Sequence, residues 1–178
     1  LLNDASLLSR LEMQGGSLPM DPVDLGALIE EVVDSFANPA KEKRIEIAFT
    51  NQTSPKVLGN ATAIRQVLIN LISNAVKFNR EGGTVWIGLK EERQWAHLTV
   101  KDEGCGIPPD ARSRIFDRFY RATGSEQIKG AGLGLYIAKL LVEAMAGKIS
   151  VESTVGAEST FTLSLQKQNP QAAATRRP

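Results

Sequence analysis

A chain of 178 residues with 42% hydrophobic content can bury one core of about 150 residues without disulfide or metal staples, so a single domain with unstructured ends is expected. Its 21 Lys and Arg against 20 Asp and Glu leave no global positive field, which argues against DNA or RNA as a partner. The single cysteine excludes an internal disulfide, no Cys and His pair has zinc-ligand spacing, and no run reaches the roughly eighteen apolar residues of a membrane span.

Leu1, Leu8 and Leu11, with Ala5 between them, recur at helical spacing up to Gly15-Gly16, where the helix should stop. Because the chain begins inside this helix and shows no signal-peptide pattern, it reads as a fragment whose anchor or sensor, if any, lies elsewhere. A short extended stretch follows near Leu18 to Val23. Asp24 can then cap a helix carrying Leu25, Leu28, Ile29, Val32, Val33 and Phe36 on one stripe. Arg44 to Thr50 alternates Ile45, Ile47 and Phe49 with polar residues, a strand with one buried face, and Val57-Leu58 is a second short strand.

The helix expected from about Asn60 to Phe78 places Ile64, Val67, Leu68, Leu71, Ile72 and Ala75 on a packing stripe. At about 100° per residue, Asn70, Asn74 and Lys77 fall together on another. Val85, Ile87 and Leu89 alternate against Ala96, Leu98 and Val100 across the polar turn Glu91 to Gln94, a hairpin that turns Trp86, Trp95 and His97 to its opposite face. Residues 132–146 read as a largely apolar helix with Leu133, Ile137, Leu140, Leu141 and Ala144 on its main stripe. Ile149 and Val151, then Phe161, Leu163 and Leu165, form a second hairpin. From Gln166 onward the chain is polar and aperiodic, so a disordered tail is expected. Helices interleaved with antiparallel hairpins argue for a two-layer α/β sandwich with one sheet face covered.

Three segments carry chemistry. Asp102-Glu103-Gly104-Cys105-Gly106-Ile107 closes a strand, and its two glycines remove the Cβ atoms that would hold the backbone off a ligand. An ionised carboxylate only accepts hydrogen bonds, which suits the amino group of adenine and opposes the carbonyl at that place in guanine. Gly130-Ala131-Gly132-Leu133-Gly134-Leu135 opens a helix, so free N–H groups and the positive helix end can face phosphate oxygens. It is neither a Walker A loop, since no Gly-Lys-Ser/Thr follows, nor a dinucleotide fingerprint, since no strand leads into it. Asn70-Leu71-Ile72-Ser73-Asn74-Ala75-Val76-Lys77-Phe78 adds carboxamides and a cation on one helix face. Each has a plain alternative: a strand-ending turn, a glycine hinge, and a solvated polar stripe.

With Phe116-Asp117-Arg118-Phe119-Tyr120-Arg121 added, the chain resembles the catalytic, ATP-binding domain of a bacterial sensor histidine kinase. The segments match that family's N, G1, F and G2 boxes in order, over residues 17–166. The resemblance implies an α+β Bergerat fold, a mixed but mostly antiparallel sheet covered on one face by helices. It divides the chain into 1–16, a remnant of the second dimerisation-domain helix and linker; 17–166, the catalytic domain; and 167–178, a disordered tail. It implies ATP and Mg2+ as cofactors, with Asn74 as the magnesium ligand and Asn70 and Lys77 in catalytic positions near the triphosphate. Phe78, Asp102, Gly104, Gly106, Ile107, Gly130, Gly132, Leu133, Gly134 and Leu135 would surround the nucleotide. Thr160 would touch adenine through its hydroxyl, Arg80 is a further phosphate-contact candidate, and Arg121 to Lys129 would form a lid coupled through Phe116 and Phe119 to the dimerisation domain.

The same resemblance implies transfer of the γ-phosphoryl group to a histidine on a dimerisation domain, normally followed by an acidic residue. The one histidine here, His97, is followed by Leu98, so self-phosphorylation is not expected. Expected partners are the dimerisation and phospho-acceptor domain of the full-length protein, itself a homodimer, and a response regulator. The expected location is cytoplasmic, with no nucleic acid and no membrane contact by these residues. Two alternatives stay open: a nucleotide-dependent interaction module without transfer, and an anti-sigma-type serine kinase. Gyrase, mismatch-repair and heat-shock ATPases carry an acidic residue where this helix has Asn70 and Asn74. Cys105 reads as an incidental small side chain, with redox sensing as the alternative.

Overall fold

Asp24 starts the helical layer: its backbone is extended, and its Oδ1 accepts from the Ala27 N–H at 3.1 Å, so β1 (Asp21–Asp24) passes directly into α1 (Leu25–Ser35). The computed structural model describes residues 18–50, 53–122 and 131–168. The expected N-terminal helix, Gly130 and most of the expected lid lie outside the described residues. Beyond α1 come α2 (Ala37–Glu42), β2 (Glu46–Phe49), β3 (Lys56–Gly59) and α3 (Ala61–Phe78). Then follow β4 (Thr84–Glu92), β5 (Trp95–Asp102), the short α4 (Pro109–Arg112), α5 (Gly134–Ala144), β6 (Lys148–Thr154) and β7 (Glu158–Gln166).

Five strands form one sheet in the order β2-β4-β5-β7-β6, antiparallel except for the parallel β2–β4 pair. The hairpin register is the one that apolar alternation demands, with Ile87 opposite Val100, Leu89 opposite Leu98, Val151 opposite Phe161 and Ile149 opposite Leu163. One face of this sheet packs on α3, whose Ile64, Val67, Leu68, Leu71 and Ile72 are fully buried, and on α5 through Ile137, Ala138, Leu141 and Val142. The result is the two-layer α+β sandwich, with α3 as its central helix.

A smaller sheet pairs β1 with β3 antiparallel, Asp21 opposite Gly59 and Asp24 opposite Lys56. The tail boundary expected at Lys167 needs correction. Lys167 forms a bridge with Val57, its N–H donates to the Gln94 carbonyl at 2.8 Å, and the Gln168 N–H donates to the Lys56 carbonyl at 2.8 Å. These two residues carry a backbone connection between the small sheet and the large one, so they belong to the domain. Positions from 169 onward lie outside the described residues.

Candidate functional site

The end of β5, the polar stripe of α3 and the first turn of α5 border one cavity of about 440 Å³. Strand alternation carries the inward face of β5 from Ala96 through Leu98 and Val100 to Asp102, which is only 3% exposed. Asp102 Oδ1 accepts from the Gly104 N–H at 2.9 Å. Burial outweighs that bond, and with a smaller push from the charge on Glu158 it raises the carboxyl from an ordinary 3.8 to about 6. A buried acceptor with one protein donor is what a ligand amino group can satisfy.

α3 supplies Asn70, Asn74, Lys77 and Phe78 to the wall. Its start is capped by Asn60, whose Oδ1 accepts from the Ala63 N–H at 3.0 Å. Its end is held by Lys43, whose Nζ donates to the Lys77 and Val76 carbonyls at 2.7 and 3.2 Å, placing a cation on the negative end of the helix dipole. Asn70 works as a bracket between helices: Nδ2 donates to the Gly134 carbonyl at 2.8 Å, while Oδ1 accepts from Gln66 Nε2 at 3.2 Å. Asn74 and Lys77 complete the polar stripe, one half-buried and the other exposed.

Leu133, Gly134 and Leu135 line the cavity where α5 begins, and no side chain caps that start. The first N–H groups of a helix have no intrahelical partners, so this end suits an anion. Gly106 has φ of +68°, and a Cβ there would run into the Thr154 carbonyl. Gly104 differs: it does not line the cavity, and a Cβ on it would strike the Phe78 carbonyl at the end of α3. Its assignment to the ligand is corrected to a packing role, letting the turn after β5 lie against α3.

Residues 59–169 match the family of histidine kinase-, DNA gyrase B- and HSP90-like ATPases. The chain belongs to this family. It is similar to the circadian input-output histidine kinase CikA of Synechococcus elongatus, 36% identical over 94% of this chain and 23% of that protein. It is similar to the sensor histidine kinase RppB of Synechocystis, 36% identical over 93% of this chain and 37% of that protein. Among solved structures, full-length ShkA in complex with AMPPNP superimposes with a TM-score of 0.79 and 33% identity, over 94% of this chain and 35% of that one. The chain thus spans about a quarter to a third of the curated relatives' length, and it is an ATP-binding catalytic domain of the sensor histidine kinase type.

In this ATPase domain the strand register overturns one expected contact. Thr160 pairs with Lys101 and Glu152 and stands on the face of β7 away from the cavity, because successive strand residues point to opposite sides. Ser159, opposite Asp102, is the β7 hydroxyl that lines the cavity. The alternation of Phe161, Leu163 and Leu165 already carried that signal, since Ser159 is two residues before Phe161. Arg80 is also displaced: it pairs with Glu103 at 2.8 Å and does not line the cavity. Glu103 is held below the usual carboxylate range by the Thr84 N–H and then by Arg80.

The sequence placed Arg121 and Ala122 in a lid over the ligand, but nothing in it marked Tyr120, just before them, as part of the cavity wall. Tyr120, Arg121 and Ala122 line the cavity, Phe116 packs edge-on against Phe161 at 6.4 Å, and the Phe119 N–H donates to the Gly132 carbonyl at 3.0 Å. Phe119 itself is 59% exposed with φ of +63°, a conformation that costs energy for an aromatic residue. No periodicity announces a left-handed residue in a turn. His97 lies on β5 with Nδ1 2.8 Å from Ser164 Oγ and takes no part in the cavity.

Proposed function

We propose that the cavity binds MgATP and that the domain presents the γ-phosphoryl group to a histidine on a dimerisation domain of its full-length protein. The observation that carries this reading is the convergence of a buried acceptor, a carboxamide and cation stripe, and an uncapped helix start around one cavity. Asp102 is the group that would accept from the adenine amino group, with Phe78 and Ile107 flanking the base. Lys77 and the first turn of α5 would meet the phosphates.

Among the described residues no group of three His, Cys, Asp or Glu stands within reach of one metal ion. Asn74 on the cavity wall offers a neutral oxygen, which fits magnesium, an ion that keeps waters and phosphate oxygens as its other ligands. When bound, magnesium neutralises charge on the β- and γ-phosphates. Asn70 fixes the distance between α3 and the start of α5, so its contribution is to hold the two phosphate-facing walls in register. The incoming imidazole nitrogen would attack phosphorus in line, forming the P–N bond as the bond to the bridging oxygen breaks and ADP leaves. Catalysis is then positioning and charge neutralisation.

The acceptor domain, a homodimeric full-length protein, a cytoplasmic location and a response regulator downstream belong to the same proposal, supported by the relatives being sensor histidine kinases. Incubating this chain with γ-labelled ATP and a separately expressed dimerisation-domain fragment tests it. Acid-labile, base-stable label on the fragment is expected; hydrolysis of ATP with no label on the fragment contradicts transfer.

A further inference from the structure

Two buried serines stand behind the Asp102 end of the cavity. Ser153 on β6 is 8% exposed and Ser159 on β7 is 4% exposed, and they face each other across the ladder. Ser153 Oγ accepts from the Ile107 N–H at 2.8 Å, lies 2.7 Å from the Glu158 carbonyl oxygen, and lies 3.1 Å from Ser159 Oγ.

Counting protons assigns the directions. A hydroxyl carries one proton, and the Glu158 carbonyl can only accept, so the Ser153 proton goes to Glu158. The bond between the serines must then use the Ser159 proton, donated to Ser153. Ser159 is left with lone pairs alone to offer the cavity. Asp102 beside it, when ionised, is likewise an acceptor only.

We propose that Ser153 is a positioning residue that locks the Ser159 hydroxyl as an acceptor, so that Asp102 and Ser159 together select a purine edge bearing an amino group and reject one bearing a carbonyl. This rests on the nucleotide reading of the cavity and adds to it a determinant of base specificity that touches no ligand. The lock is the serine–serine bond itself: rotating the Ser159 proton toward a ligand gives up that bond in a buried corner, while Ser153 keeps its bonds to Ile107 and Glu158. A 6-oxo group would set lone pair against lone pair in a desolvated corner, the arrangement that gives polar sites their discrimination.

The test is calorimetric titration of the full chain, in magnesium, with ATP and two analogues. Inosine triphosphate carries oxygen in place of the 6-amino group and a proton on N1, while 6-methoxypurine riboside triphosphate carries oxygen there and leaves N1 unprotonated as in adenine. The inosine comparison is read as a 6-position effect where the two analogues agree. Wild type is compared with Ser153→Ala, Ser159→Ala and the double variant. Freeing the Ser159 hydroxyl in Ser153→Ala should reduce the preference for ATP over inosine triphosphate by about threefold to tenfold, the worth of one hydrogen bond. Ser159→Ala should move the preference the same way, and adding Ser153→Ala to it should change the preference no further. A Ser153 that merely props the Ile107 turn would weaken both nucleotides by the same factor, and that result overturns the inference. If Ser153→Ala does not fold by circular dichroism, Ser159→Ala decides alone, because it leaves the Ile107 and Glu158 bonds intact; an unchanged preference there overturns it equally. Wild-type protein binding neither nucleotide overturns the reading of the cavity itself, and the inference with it.

Discussion

Asp102 is held in the folded protein at a cost that a ligand can relieve. Its carboxyl titrates near 3.8 when ordinary and near 6 in the fold, chiefly because it is buried. Between those values the folded state binds more protons than the unfolded chain, so stability from this group is fully present below about pH 3.8 and is lost as pH rises through about 6. Asp102→Asn removes the charge while keeping an oxygen for the Gly104 N–H. The variant should therefore melt a few degrees above wild type at pH 7.5, with the gap closing towards pH 4; a gap that stays constant across that range contradicts the assignment. Glycines at two neighbouring sites should respond in opposite ways. Gly106→Ala meets both a left-handed backbone and the Thr154 carbonyl and should lose about 1–3 kcal/mol in urea unfolding. Gly134→Ala, whose nearest neighbour is Asn70 Cγ at 3.6 Å on an ordinary helical backbone, should be neutral or gain up to about 1 kcal/mol.

α3 joins packing to chemistry because both its ends are fixed from outside. Lys43 is the clamp at the cavity end, and Lys43→Met should cost about 1 kcal/mol in unfolding free energy while lowering nucleotide affinity, since Lys77 and Phe78 lie in the turn it holds. Unchanged stability would show that the last carbonyls of α3 are equally well served by water. Elements of this kind were largely legible in the sequence, because periods of 3.6 and 2 record which face is buried: the stripe of α3 and the paired faces of both hairpins follow directly from them. With its cap residues, α5 buries Ala138, Val142 and Met145 beside Leu133, Ile137 and Leu141, where Leu140 and Ala144 were expected. What periodicity does not record is which strand lies beside which. The parallel β2–β4 pairing and the β1–β3 sheet depend on how distant segments meet. The cavity-lining position of Ser159, and not Thr160, was readable from the alternation of Phe161, Leu163 and Leu165, whereas Tyr120 reaches the cavity from an aperiodic turn that no pattern announces. Gly104 illustrates a further limit, because a glycine needed for close approach to α3 looks in sequence like one needed for close approach to a ligand.

The described residues form two sheets and a helical layer stitched where the chain leaves β7. Lys167 and Gln168 tie β3 and the β4–β5 turn to the end of the large sheet, with Lys167 Nζ adding an ion pair to Glu91 at 2.8 Å. A chain ending at Gln166 should therefore be about 1–2 kcal/mol less stable than one ending at Gln168, measured by urea unfolding of both truncations. Equal stability would place the domain boundary back at the end of β7. The layered arrangement brings α3, β5 and α5 to a common cavity, and the function stands or falls on what that cavity holds. Calorimetric titration of wild type and Asp102→Asn with ATP, in the presence and absence of magnesium, tests this most directly. One nucleotide per chain, bound more tightly with magnesium and at least tenfold more weakly by Asp102→Asn, is the predicted result; equal binding by the two proteins would contradict it.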